Sequence, residues 1–122
     1  PLRALAPDGT DAVPEAAFPC TCARTKCGIS ATGDVYPCIA VPWPAGSVRE
    51  RPFAEIWRDS PVFRRIRGLR MADYPRCGPG DLKAWCFRDR GTSFLASGEY
   101  TGVDPWMCEV AEAARRAAAP CT

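Results

Sequence analysis

Short apolar runs set the first pattern in the chain. Gly28-Ile29-Ser30 and Val35-Tyr36 stand on either side of Ala31-Thr32-Gly33-Asp34. This predicts two short strands joined by a hairpin turn, with Gly33 where the backbone needs a positive φ. Farther along, the spacing becomes helical. Phe53, Ile56 and Trp57 share one face of a stretch that starts at Phe53. Ser60-Pro61 then starts a second helix, with serine as N-cap and proline as first residue. Val62, Phe63, Ile66 and Leu69 form its apolar side, and Arg64, Arg65, Arg67 and Arg70 its other face. Phe53, Trp57, Phe63 and Ile66 are expected to be core beneath the hairpin, and the arginines a solvated face. A short helix is expected over Thr92–Ser97, ending at Gly98. A last helix should follow Asp104-Pro105 through Cys108 to about Ala119, with Asp104 as its N-cap. Arg76-Cys77-Gly78-Pro79-Gly80 predicts a tight loop, residues 39–52 an extended loop with three prolines, and residues 1–19 a linker or entering arm. The fold class is small and α+β: a β-hairpin, three or four short helices and long loops.

Composition narrows the chemistry. With 122 residues the chain suits one small domain, and 13 prolines and 10 glycines imply much loop. A net charge of +2 gives no reason to expect nucleic acid or an anionic membrane as partner. No stretch is apolar enough to span a bilayer and no signal peptide opens the chain, so a cytoplasmic location is expected. The first residue is Pro1, as expected of a piece of something larger. There is no histidine, which removes every His-based general base, nucleophile couple and zinc site within the chain. Eight cysteines remain, at 20, 22, 27, 38, 77, 86, 108 and 121. Three chemistries fit them: an iron–sulfur cluster, an all-sulfur zinc site, or disulfides in a secreted domain. Trp43, Trp85 and Trp106 are read as packing residues that could also shield a cluster.

The order Cys20…Cys27…Gly33-Asp34-Val35-Tyr36-Pro37-Cys38, then Phe53-Ala54-Glu55-Ile56-Trp57, then Cys77…Cys86…Cys108 resembles a SPASM domain. That domain is the C-terminal extension of many radical S-adenosylmethionine enzymes that modify peptides and proteins. The resemblance covers about residues 20–112, leaving 113–122 as helix end and tail. It implies two auxiliary 4Fe–4S clusters, with Cys20, Cys27 and Cys38 on the first and Cys77, Cys86 and Cys108 on the second. A cubane's iron corners each want a soft thiolate, delivered from separate loops. The family's second block reads Cys-x2-Cys-x5-Cys-x3-Cys, but here Gly80 and Arg90 stand at its second and fourth places. The first cluster thereby lacks its distant fourth ligand, and the second lacks one too. Cys22, Cys121, Asp81 and Asp89 are the additional candidate ligands. The expectation is one or two 4Fe–4S clusters, with zinc as the alternative. The Cys-x3-Cys-x2-Cys motif that cleaves S-adenosylmethionine is missing, so this chain alone should not initiate radicals. A radical S-adenosylmethionine barrel, in cis or on a partner, would have to supply that step. The implied function is an auxiliary-cluster domain acting on a peptide or protein substrate, by electron transfer or substrate anchoring. The alternative is a cluster-poor or zinc-binding relative that only binds a peptide or partner.

Overall fold

A computed structural model of the chain describes residues 16–86 and 89–118. It contains two compact units, Phe18–Leu69 and Pro1–Ala17 with Arg70–Thr122. The architecture is α+β and loop-rich.

In the first unit a three-stranded antiparallel sheet runs in the order β1 (Gly28–Ile29), β2 (Asp34–Tyr36), β3 (Gly46–Ser47). Gly28 lies opposite Tyr36 and Ile29 opposite Val35. The turn forms as its chemistry demands. Gly33 has φ +94, Ser30 N–H donates to the Asp34 carbonyl at 2.9 Å, and the Thr32 hydroxyl donates to the Asp34 carboxylate at 2.7 Å. β3 corrects the expectation of a plain loop over 39–52. Gly46 pairs with Val35 at φ +149, and a Cβ on it would meet the Ile56 side chain at 3.2 Å. This strand is fixed by tertiary contact, so a two-residue run between prolines carries no readable pattern.

Two helices pack beside the sheet, α1 (Phe53–Asp59) and α2 (Pro61–Gly68). Ile56 and Phe63 are fully buried and Ile66 nearly so. Each such side chain contributes about 1.5–3 kcal/mol by leaving water. Trp57 meets Phe63 edge-on at 5.4 Å between ring centroids. Phe53, expected in the core, is 39% exposed: as the first residue of α1 it covers Trp57 from one side only. Ser60 also departs from expectation, because its side chain makes no cap hydrogen bond. It is instead a buried one-residue joint. Its N–H donates to the Ile56 carbonyl to close α1, and its carbonyl accepts from Arg64 N–H to open α2.

Among the described residues the second unit holds a 3-10 turn (Met71–Asp73), α3 (Arg90–Ser97) and α4 (Pro105–Ala118). Residue 17 joins it through Met71 N–H donating to the Ala17 carbonyl at 3.0 Å. α3 starts two residues before its expected place because Asp89 caps it, accepting from Gly91 N–H at 2.8 Å and Thr92 N–H at 3.3 Å. It ends, as expected, at left-handed Gly98. Asp104 caps α4 by accepting from Trp106 N–H at 3.0 Å. Met71, Tyr74, Tyr100 and Ala111 are buried in this unit. Among the described residues no helix is long and apolar enough to cross a membrane.

Candidate metal centres

The first group of thiols is built on the hairpin. Because Gly28 faces Tyr36, Cys27 and Cys38 flank the open end of β1 and β2. Cys20 and Cys22 sit on the preceding loop, whose shape depends on Ala23. This residue is fully buried and left-handed at φ 58, which costs a residue with a Cβ roughly 1–2 kcal/mol. The surroundings hold it there. Ala23 N–H is shared between the carbonyls of Lys26 at 2.9 Å and Pro37 at 3.2 Å, and the Ala23 carbonyl accepts from Arg67 Nε at 2.6 Å. The Arg24 guanidinium donates in return to the Arg67 carbonyl. Arg67 therefore leaves the solvated face expected of it. Its guanidinium lies 4.7 Å from the Trp57 ring centre and 5.5 Å from that of Phe63. Arg65 similarly stacks on Trp43 at 5.0 Å, whereas Arg64 does reach solvent, paired with Asp59.

Cys20 Sγ and Cys22 Sγ are 3.2 Å apart, within hydrogen-bonding distance. The hydrogen bond with Cys22 holds the Cys20 thiol down at about 6, against the opposing effect of burial, with Lys26 helping. The same bond, then burial, pushes buried Cys22 far up, and nearby Cys38 adds to that rise. Burial raises the Cys27 thiol as well.

The second group surrounds a cavity of about 160 Å³. Cys77 comes from the loop after the 3-10 turn, Cys86 from the next series of turns and Cys108 from the first turn of α4. Burial, then the charges of Cys77 and Cys86, pushes the Cys108 thiol up. Arg76, Asp81 and Lys83 supply the polar part of the wall. Gly80 lies on the cavity wall where the resemblance places a cysteine. Arg90, in the other altered place, is 3% exposed with its guanidinium 4.8 Å from the Tyr74 ring centre. Of the carboxylates, Asp81 pairs with Arg115 at 3.0 Å and Asp89 is engaged as the α3 cap. Cys121 lies outside the described residues. Trp106 is 63% exposed, so it is not buried as a packing residue would be.

The donor sets can be tested against a metal group. No disulfide links the seven described cysteines, and 3.2 Å is well beyond the ~2.05 Å of an S–S bond. Among the described residues no three Cys, Asp or Glu side chains converge on a point that one ion could occupy. Three thiols spread around a cavity of about 160 Å³ fit a cubane by residue type and placement.

Comparison with known proteins agrees. Residues 20–80, half of the chain, match the family model of SPASM, an iron–sulfur cluster-binding domain. The AdoMet-dependent heme synthase of Methanosarcina barkeri is 36% identical over 80 residues, covering 66% of this chain and 23% of that protein. The AdoMet-dependent heme synthase of Nitratidesulfovibrio vulgaris is 38% identical over 80 residues, covering 65% and 21%. That of Oleidesulfovibrio alaskensis is 37% identical over 79 residues, covering 65% and 20%. The chain thus spans about a fifth to a quarter of the length of these relatives. No solved structure matches it.

Proposed function

Because the chain belongs to the SPASM family of iron–sulfur cluster-binding domains, we propose that residues 20–112 are the auxiliary-cluster domain of a radical S-adenosylmethionine enzyme. The observation that carries this reading is the placement of Cys77, Cys86 and Cys108 around one cavity, with Cys86 and Cys108 beyond the family match that already covers Cys20, Cys27, Cys38 and Cys77. A bound cluster supplies one-electron transfer, or an iron that takes a donor atom of the substrate. The chain's own part is to deliver thiolates from separate loops and to wall the second group with Arg76, Asp81 and Lys83. The S-adenosylmethionine chemistry then belongs to a barrel in cis or on a partner. The relatives' being heme synthases favours a heme-forming reaction over peptide modification, the substrate class that the family resemblance implies. A cytoplasmic site of action goes with this reading, since the thiols must stay reduced.

The test is iron, acid-labile sulfide and zinc per chain after oxygen-free purification and reconstitution, with a visible spectrum. Two 4Fe–4S clusters give about eight irons and eight sulfides, and one gives about four of each. Colourless protein that holds zinc or no metal would overturn the proposal in favour of a binding module.

A further inference from the structure

The resemblance leaves the first cluster without its distant fourth ligand, and Arg90, at one of the two altered places, has a guanidinium with no lone pair to offer iron. Its burial against Tyr74 gives it a packing role instead. The unit Phe18–Leu69 nevertheless contains four cysteines, Cys20, Cys22, Cys27 and Cys38. We propose that Cys22 is the fourth thiolate of the first cluster, so that this site is completed locally and keeps no open iron. The inference rests on the iron–sulfur reading above.

Three observations carry it. The Cys22 thiol is 2% exposed, touches that of Cys20 at 3.2 Å and is close to that of Cys38. It is therefore inside the group of ligands rather than beside it. Its backbone is fixed in that position. The left-handed turn at Ala23 follows directly, tied to Lys26, Pro37 and Arg67 by the hydrogen bonds described above. Finally, both aspartates of the same unit, Asp34 and Asp59, are occupied elsewhere. Asp34 serves the hairpin turn at the opposite end from Cys27 and Cys38, and Asp59 pairs with Arg58 and Arg64. Each thiolate on a cubane takes its own iron, so loading parts the Cys20 and Cys22 sulfurs. The competing account is that Cys22 is only a small buried apolar residue. Serine is nearly isosteric but a poor soft donor, so Cys22→Ser separates the two.

The experiment uses the full chain, reconstituted without oxygen with ferrous iron and sulfide. Cys22→Ser and wild type are compared for iron per chain and for the EPR spin count after mild ferricyanide oxidation. Far-UV circular dichroism checks that both are folded. The expected result is a loss of about four irons per chain, or a gain of about one three-iron spin, since a cubane on three thiolates sheds its unanchored iron. Iron and spin equal to wild type would overturn the proposal. A second measurement needs no variant: the reduced wild type is titrated with cyanide. At most one cyanide-binding iron per chain is expected, from the second site, and two would overturn the proposal. Wild type that takes up no iron at all sinks the cluster reading itself, a distinguishable failure.

Discussion

Arg67 ties α2 to the thiol-bearing loop, and removing it should loosen that loop measurably. Its Nε donates to the Ala23 carbonyl at 2.6 Å, and its guanidinium covers Trp57 and Phe63. A hydrogen bond from a charged donor is worth about 1.5–3 kcal/mol and each cation–π contact about 0.5–1 kcal/mol. These share one side chain and do not add fully, so Arg67→Ala should cost about 3 kcal/mol. For an m-value of about 1.5 kcal/mol/M, the urea midpoint falls by about 2 M. The assay is urea unfolding of the anaerobic, reconstituted protein followed by far-UV circular dichroism. Arg67→Lys keeps the charge but lacks the planar group that stacks and donates at once, so it should recover less than half of the loss. A shift under about 0.3 M for Arg67→Ala, or full recovery by Arg67→Lys, would refute the clamp.

Phe63 is fully buried, and Phe63→Ala should destabilise by about 3–5 kcal/mol in the same urea experiment, with a cost below about 1 kcal/mol counting against the packing described. Asp89→Ala removes the α3 cap and should cost about 1 kcal/mol, lowering Tm by about 4 °C; an unchanged Tm would show that the cap contributes nothing. In metal-free protein Cys20 should be a thiolate above pH about 6 and lose its reactivity as the pH falls below that value. Iodoacetamide labelling mapped by mass spectrometry should show that midpoint, and Cys22→Ala should raise it toward about 8.5, whereas an unmoved midpoint would contradict the role of the Cys20–Cys22 hydrogen bond.

The parts legible in the sequence are those that local chemistry decides. The Gly33 turn, the Gly98 helix end and the Asp104 cap each depend on a single residue's conformational or hydrogen-bonding preference. Period 3.6 exposed α1 and α2, because Ile56, Phe63 and Ile66 must face one core. What stayed hidden depends on partners distant in the chain. β3 exists because Gly46 lets Ile56 approach, and Arg67 turns inward because Ala23 offers it a carbonyl. The cysteine positions were readable from spacing, but the depth of Cys22 was not. That depth follows from a left-handed alanine, a conformation its residue type gives no warning of.

The two groups of thiols differ in how far along the chain they extend. Cys20–Cys38 is a segment of 19 residues, and Cys77–Cys108 is one of 32. Loop-closure entropy separates these by only about 0.5 kcal/mol, so equilibrium scarcely distinguishes them. Synthesis does. Cys108 follows Cys38 by 70 residues, which at about 5–20 residues per second gives the earlier segment a lead of about 4–14 s. A ribosome therefore presents the first group of thiols while the second is still being made, and any delivery of iron and sulfide can proceed in the order of translation.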